Sequence, residues 1–220
     1  MLAKHLITGT IIPLKTSDTG ITALSWMDDY KVSHLPIVNN VDFLGLISDV
    51  DIYNMNDFSE AVGNHTLSLS SPFVYDYQHI LEIIKVVSIQ KLSLIPVLDS
   101  RKRYLGSITL NKIIDGISII SAAQSPGGII VLEVSQNDYT LSEISQIIES
   151  NNAKVLSLYV TTHDNSTKMN VVIKINKIDI SAILLTFNRY SYDVKASFSE
   201  KEDAEDLRER YDSLIKYLNM

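Results

Sequence analysis

Hydrophobic and polar positions follow the same order twice in the first half of the chain. Residues 34–51, HLPIVNNVDFLGLISDVD, form a short apolar run, a polar turn, a second apolar run and then an abrupt polar helix start. Residues 94–112, LIPVLDSRKRYLGSITLNK, repeat this order. Short apolar runs separated by a tight polar turn predict a strand–turn–strand hairpin, here followed directly by a helix.

The two hairpins align residue by residue. Pro36 lies opposite Pro96 at an offset of 60, and Gly45 lies opposite Gly106 at an offset of 61, so the second turn is one residue longer. Each hairpin follows an amphipathic helix pattern, which is itself preceded by an extended stretch, GTIIPL or SPFVY. The unit β-α-β-β-α therefore occurs twice, and we expect the repeats to span residues 1–60 and 61–121.

The pattern changes after a boundary at 122–127, which contains a proline and the first of two adjacent glycines. Residues 128–198 alternate strand and helix patterns in the order βαββαβ, which predicts a ferredoxin-like four-stranded antiparallel sheet with both helices on one side. Residues 199–220 predict a C-terminal helix whose apolar stripe docks on its own domain or on a second copy. The fold class is thus α+β.

Composition and charge narrow the function classes. The chain of 220 residues is 45% hydrophobic, has a net charge of −7 and contains no cysteine. The charge argues against a nucleic-acid surface, and the missing cysteines exclude disulfides and thiol catalysis. No segment resembles a membrane span or a secretory signal, so we expect a cytoplasmic protein. The five histidines have no metal-ligand spacing and no catalytic motif occurs, so we expect neither a metal nor an enzyme.

Polar residues at predicted helix starts act as N-caps. Thr140 and Glu143 are spaced as a capping box, and Asp179 is the candidate cap of the next helix. Ser48 is an N-cap in the same sense, with Asp51 at the third helical position, where a carboxylate suits the helix dipole. A helix start of this kind also offers backbone donors to a phosphate, while the carboxylate can accept from a ribose diol. The spacing leaves both interpretations open.

The repeated corner has the pattern hPh…G-h-h-[S/T]-x-x-D and resembles the signature of the cystathionine-β-synthase (CBS) domain. Two in tandem, over residues 1–121, resemble the CBS pair, or Bateman module. The resemblance implies a regulatory pair that binds AMP, ADP, ATP or S-adenosylmethionine between the repeats, with no other cofactor. Ser48 then matches the hydroxyl residue near phosphate and ribose, and Asp51 matches the ribose-binding acid. In the second copy Thr109 keeps the hydroxyl, but Lys112 replaces the acid, so we expect at most one well-formed site.

In this family the extended stretches and the runs around the prolines line the base pocket. The residues this implies here are Thr8, Ile11, Ile12, Leu35, Pro36, Phe73, Val74, Tyr75 and Ile95. For each apolar residue, ordinary core packing is the alternative.

The βαββαβ unit resembles an ACT domain, a small regulatory module that often binds amino acids. The family usually has a Pro-Gly pair in the loop after the first strand, where this chain has Asp138 and Tyr139. Without the glycine, close backbone approach to a ligand is disfavoured. Asn137 and Asp138 are candidate ligand contacts, with a local turn as the alternative. We expect a homodimer in either case.

Two hypotheses follow from the sequence. The first is a nucleotide-sensing regulatory protein that acts on a target the sequence does not identify. The second is a ligand-free interaction or scaffold protein, in which the repeated corners are structural.

Overall fold

A computed structural model describes residues 1–68, 71–162 and 167–199. The chain divides into two compact units, Met1–Ile117 and the part that follows from Ser118. The predicted C-terminal helix over 199–220 lies outside the described residues, apart from Ser199.

The first unit contains the same element order twice. The elements of the first repeat are α1 (Gly20–Tyr30), β1 (His34–Asn39), β2 (Asp42–Ser48) and α2 (Asp49–Tyr53). Those of the second repeat are β3 (Val74–Tyr75), α3 (Ile80–Gln90), β4 (Leu94–Leu98), β5 (Tyr104–Thr109) and α4 (Leu110–Ile120). Short 3₁₀ turns occur at Ala3–His5 and Val62–Asn64. The predicted first strand of the first repeat is reduced to one parallel bridge between Leu14 and Ile37, whereas β3 pairs with β4.

The two hairpins are alike in register. β1 pairs antiparallel with β2, and β4 pairs antiparallel with β5. Each pair has an irregularity at the same place, after Ile37 in the first repeat and after Val97 in the second. Ile37 and Val97 are 60 residues apart, as the two prolines are. The extra residue of the second hairpin therefore lies in its turn and not in the paired strands. The hairpins are related structures and not merely similar sequences.

Each repeat sends its leading segment onto the hairpin of the other repeat. Ile7, ahead of the first repeat, covers Gly106 in β5, and Leu67, ahead of the second repeat, covers Gly45 in β2. A methyl group on either glycine would collide with the covering side chain. Gly106 also has φ +149°, a conformation that other residues rarely adopt. The glycines that define the corner therefore make room for the exchanged segments.

One apolar core joins the two repeats. Fully buried side chains of the four hairpin strands contribute to it, namely Leu35, Leu46, Ile47, Leu94, Ile95 and Ile108. Each such side chain stabilises the unit by about 1.5–3 kcal/mol through removal from water. The repeats thus fold as one body, and the prediction of a paired α+β arrangement is confirmed.

The second unit is a four-stranded sheet with two helices. Its elements are β6 (Ile129–Ser135), α5 (Leu141–Ser150), β7 (Val155–Thr162), β8 (Lys168–Ile175), α6 (Ser181–Arg189) and β9 (Asp193–Phe198). The strand order is β7-β8-β6-β9 and every pair is antiparallel. Buried residues of both helices share one cluster with alternate residues of β6, so both helices cover the same face. The ferredoxin-like prediction is confirmed.

The helix caps of this unit differ in part from the prediction. The side chain of Thr140 makes no cap hydrogen bond, and Glu143 instead accepts a 2.7 Å bond from the Tyr192 hydroxyl. The predicted capping box is therefore wrong, because a tertiary partner takes the carboxylate. At α6 the N-cap is Ile180, one residue after the predicted Asp179, although the Asp179 carboxylate accepts from the Ser181 amide at 3.2 Å. Among the described residues, no helix is long and apolar enough to cross a membrane.

Candidate functional site

The first corner, residues 48–51, is a closed capping box. Ser48 ends β2 in an extended conformation, and its hydroxyl accepts from the Asp51 amide at 3.1 Å. In return, Asp51 Oδ2 accepts from the Ser48 amide at 2.9 Å and from the Ser48 hydroxyl at 2.8 Å. The predicted N-cap and the third-position acid are confirmed, and both side chains are used in holding the start of α2.

A third donor reaches Asp51 from the segment that leads into the second repeat. The Ser68 amide donates to Asp51 Oδ1 at 3.1 Å. Partial burial raises the pKa of Asp51, but the bonds from Ser48 and Ser68 outweigh it, and the pKa lies below its ordinary value. The charged Asp51 carboxylate thus holds Ser68, and with it the leading segment of the second repeat, at the first corner.

The start of α2 offers little to an anion. Its first three amides have acceptors: Asp49 N donates to Ser33 O at 3.0 Å, Val50 N to Asp49 Oδ1 at 2.8 Å, and Asp51 N to the Ser48 hydroxyl. Asp49 and Asp51 also place two negative charges in the first turn. A phosphate here would meet repulsion and occupied donors.

The second corner, residues 109–112, has different electrostatics. The Thr109 hydroxyl accepts from the Lys112 amide at 3.4 Å, a longer bond than its counterpart in the first corner. The first turn of α4 reads Leu-Asn-Lys-Ile and carries no acid. Lys112 Nζ pairs with Asp115 Oδ2 at 3.3 Å, with both side chains about half exposed. This corner is therefore more favourable to an anion than the first.

A cavity of about 580 Å³ opens beside the second corner. Both repeats line it, with Thr8, Thr10, Ile11, Asp29, Tyr30, Lys31 and Val32 from the first and Ser93, Thr109, Leu110, Asn111, Lys112 and Asp115 from the second. The leading segment forms one wall, because the Thr8 amide donates to Ser107 O at 2.9 Å. A cavity of this size accommodates a small organic ligand.

A serine–histidine cluster, Ser33, His34 and Ser93, joins the two corners. Ser33 N donates to the Ser93 hydroxyl at 2.9 Å, and Ser93 N donates to His34 Nδ1 at 3.2 Å. The carbonyls of Ser33 and Ser93 accept from the first amides of α2 and α4 respectively. Burial lowers the pKa of His34 although two nearby carboxylates oppose this, so the ring is neutral at pH 7.

Comparison with known proteins finds similarity to parts of this chain. No family model matches the chain. Inosine-5′-monophosphate dehydrogenase of Methanocaldococcus jannaschii is 23% identical over 151 residues, which are 67% of this chain but 30% of the enzyme. The chain thus spans less than a third of that relative.

Solved CBS structures align with about half of the chain. A CBS domain pair/ACT domain protein of Thermotoga maritima gives a TM-score of 0.48 at 21% identity, covering 53% of this chain and 96% of that one. The protein CBSX2, in complex with AMP, gives 0.46 at 20% identity, covering 56% and 96%. The CBS domain of a bacterial CNNM/CorC family Mg²⁺ transporter, in complex with ATP, gives 0.43 at 17% identity, covering 53% and 87%.

The first unit resembles a CBS pair, and we call it the CBS-type pair. Its own topology carries this statement, since the β-α-β-β-α order, the matched registers and the exchanged leading segments occur in both repeats. The likeness to the solved structures concerns the fold.

The CBS-type pair divides the residues predicted for the site. Thr8, Thr109 and Lys112 line the second-corner cavity together, whereas Ser48 and Asp51 lie at the first corner. The sequence placed all five in one kind of cleft. The structure separates the open cavity from the corner with the expected acid.

Several apolar predictions need correction. Leu35 and Ile95 have no exposed surface and Pro36 is buried, because β1 and β4 are covered on both faces. In this structure they are core residues and present no surface to a ligand. Ile12 is 54% exposed and its neighbour, not Ile12 itself, lines the cavity. Phe73 packs edge-on against two aromatic rings, at 5.3 and 6.3 Å between centroids.

Sequence reasoning missed two sets of residues. Asp29 and Lys31, at the end of α1, line the cavity, although no motif marks them. Leu67 and Ser68, which cover the first corner, had a signal in the sequence. The offset of 60 between the repeats, applied to Ile7 and Thr8, leads directly to them.

The second unit has an acidic cavity of about 290 Å³. Its carboxylates are those of Glu133, Asp138, Glu143 and Asp193, beside the ring of Tyr192. Burial and the bond to Glu143 raise the pKa of the Tyr192 hydroxyl. The predicted contact residues Asn137 and Asp138 form a local turn, in which their amides donate to Ser135. No group of three metal-ligating side chains occurs among the described residues.

Proposed function

We propose that this protein is a non-catalytic, cytoplasmic regulatory protein whose CBS-type pair binds an adenine nucleotide. The observation that carries the proposal is the cavity of about 580 Å³ lined by both repeats. Its lining combines threonines, apolar side chains, the lysines Lys31 and Lys112, and the acids Asp29 and Asp115. A base, a sugar and a phosphate need these kinds of contact.

A ligand in this cavity would act by favouring one relative placement of the repeats. It touches α1 of the first repeat and α4 of the second, and the serine–histidine cluster beside it ties the two corners together. The ligand shifts the equilibrium only by its difference in affinity for the two placements. A shift from 1:99 to 99:1 needs about 5.5 kcal/mol of such difference.

The proposal includes a homodimer, with the ferredoxin-like unit serving dimerisation or a second ligand. In the first unit, an apolar groove of about 410 Å³ between α3 and α4 supports self-association, since Ile84, Val87, Ile113 and Ile114 line it. Light scattering after gel filtration of the full chain tests this part. A mass of one chain, 24.7 kDa, at micromolar concentration would reject the dimer.

A thermal-shift panel tests nucleotide binding. AMP, ADP and ATP come first, with S-adenosylmethionine as the comparison ligand, because its sulfonium is positive where the others are anionic. A ligand at 100 times its Kd stabilises the folded state by about 2.7 kcal/mol, which raises the midpoint by about 5–15 °C. Protein dialysed from urea and refolded serves as the control against carried-over nucleotide.

The scaffold hypothesis is the second candidate. Lys112 in the place of the ribose-binding acid and Asp138-Tyr139 in the place of the Pro-Gly pair favour it. It predicts that none of the four adenosine compounds shifts the midpoint of refolded, nucleotide-free protein. A shift with one phosphate-bearing compound, saturating with concentration, would reject it.

A further inference from the structure

We infer that the second-corner cavity is the nucleotide site of this pair and that it recognises the phosphate, not the ribose diol, while Asp51 belongs to the fold. This inference rests on the proposed function and narrows it to one cavity and one ligand chemistry. It gives a structural role to Asp51, the acid that matches the ribose-binding position of the sequence pattern. It also makes the lysine that replaces the acid in the other repeat the residue that determines specificity.

Asp51 is already committed to the protein. Among the described residues, three donors reach its carboxylate: Ser48 N, the Ser48 hydroxyl and Ser68 N. A carboxylate offers about four acceptor positions. A ribose diol has two hydroxyls to place, so it would have to displace one of these three donors and open the capping box or the bond to the leading segment.

Lys112 gives the second corner the opposite chemistry. An ammonium group has three donors and no acceptor, so it cannot accept from a diol. It can pair with a phosphate. Lys31 also lines the same cavity, with its ammonium paired to Asp28 Oδ1 at 2.9 Å. Asp115 already pairs with Lys112 at 3.3 Å.

Asp29 is the remaining carboxylate that the structure assigns to this cavity. It lies near the end of α1, next to Tyr30 and Lys31, and not on the corner where the repeat pattern expects an acid. Asp29 is therefore the competing candidate for binding the ribose hydroxyls. The ligand class predicted from Lys31 and Lys112 is the adenine nucleotides, with 2′-deoxy and ribo forms accepted alike.

Isothermal titration of the refolded full chain with AMP, 2′-deoxy-AMP and adenosine tests the inference. We expect Kd values for AMP and 2′-deoxy-AMP within about twofold of each other, and adenosine about tenfold weaker or more, because it lacks the charge-assisted contact. Lys112→Ala should weaken AMP binding about fivefold to tenfold and leave adenosine unchanged. Lys85→Ala, which removes an exposed lysine of α3 away from the cavity lining, is the matched control and should change neither.

Two further variants separate the explanations. Asp51→Asn should bind AMP within about twofold of the wild type, because its carboxylate contacts protein and not ligand. A loss of about tenfold or more in Asp51→Asn that keeps the wild-type circular dichroism spectrum would overturn the inference. A tenfold preference for AMP over 2′-deoxy-AMP would also overturn it, and loss of that preference in Asp29→Asn would identify Asp29 as the ribose acid.

The failures are distinguishable. If AMP binds about tenfold more tightly than 2′-deoxy-AMP, the proposed function stands and this inference is wrong. If neither nucleotide nor adenosine binds the refolded wild type, the proposed function fails and the inference fails with it.

Discussion

Replacing Asp51 by asparagine tests the structural role of this carboxylate most sharply. Asparagine has nearly the same shape but one oxygen and one NH₂ group where aspartate has two oxygens. Oδ2 accepts from Ser48 and Oδ1 accepts from Ser68 in the wild type. Whichever way the amide is turned, its NH₂ group faces a backbone donor, so one of these amides loses its acceptor.

The expected cost follows from the contacts. Loss of the reciprocal capping bonds costs about 1 kcal/mol, and loss of a negative charge in the first helical turn costs a further 0.3–1 kcal/mol or so. Asp51 is only partly buried, so solvent screening limits the electrostatic share. We expect the free energy of unfolding of the first unit to fall by about 1–2 kcal/mol at pH 7.

The pH dependence has a definite sign. The pKa of Asp51 is lowered in the folded protein, although partial burial alone would raise it, because of its bonds from Ser48 and Ser68. A carboxylate of this kind stabilises the fold above its unfolded pKa, about 3.9, and this contribution is lost as the pH falls through the folded pKa. The difference between wild type and Asp51→Asn should therefore be complete above about pH 5 and shrink under more acidic conditions.

Urea unfolding by circular dichroism and amide hydrogen exchange measure this effect without nucleotide. Either the Ser48 or the Ser68 amide should exchange faster in Asp51→Asn, since one of the two loses its acceptor. Lys112→Asn, at the equivalent position of the other repeat, is the control and should change the free energy of unfolding by less than about 0.5 kcal/mol. Equal stability of wild type and Asp51→Asn, with unchanged exchange of both the Ser48 and the Ser68 amides, would refute the structural role.

Three further predictions concern other parts of the chain. Gly106→Ala should lower the free energy of unfolding by about 1–3 kcal/mol, because the position combines φ +149° with a covering side chain. Gly9→Ala is the control and should not lower it, since no described atom lies within 4 Å of the added methyl. Equal unfolding midpoints of the two variants would contradict this prediction. Tyr192→Phe should cost about 1 kcal/mol at pH 7 through the lost bond to Glu143. Because burial and that bond raise the Tyr192 pKa, the difference in free energy of unfolding between wild type and Tyr192→Phe should shrink above about pH 10. A difference that is unchanged at pH 11 would contradict this prediction. The ring protons of His34 should titrate by NMR with a midpoint below pH 6.5, since burial lowers the pKa of the ring. The stability that the neutral ring confers is present above the unfolded pKa and is lost on acidification. A titration midpoint above pH 6.5 would exclude the buried neutral ring.

The sequence predicted those features that depend on local patterns. Alternation and helical spacing located both hairpins and the βαββαβ unit, and the N-cap at Ser48 follows from a serine between a strand and a helix. The capping box predicted at Thr140 and Glu143 failed because the Thr140 hydroxyl faces Asp138 O, while Tyr192, distant along the chain, bonds to the Glu143 carboxylate. Propensity cannot anticipate a tertiary competitor of this kind.

The candidate site was predictable in its parts and not in its assembly. The pattern identified Asp51 and Lys112 as the contrasting positions of the two corners. It could not show that Ser68 would donate to Asp51, because that bond depends on the crossing of each leading segment to the other repeat. The pocket role of Leu35 and Ile95 came from the family resemblance, with core packing as the alternative, and the structure gives core packing; apolar runs beside the corners look the same whether they face a ligand or a core.

The amide NMR spectrum of the full chain, titrated with AMP, tests most directly which of the two corners binds the nucleotide. We expect saturable shifts at Thr8, Thr10 and residues 109–112, around the cavity that both repeats line, with residues 48–51 and Ser68 little changed. Shifts concentrated at residues 48–51 and Ser68, or none at millimolar AMP, would contradict this expectation.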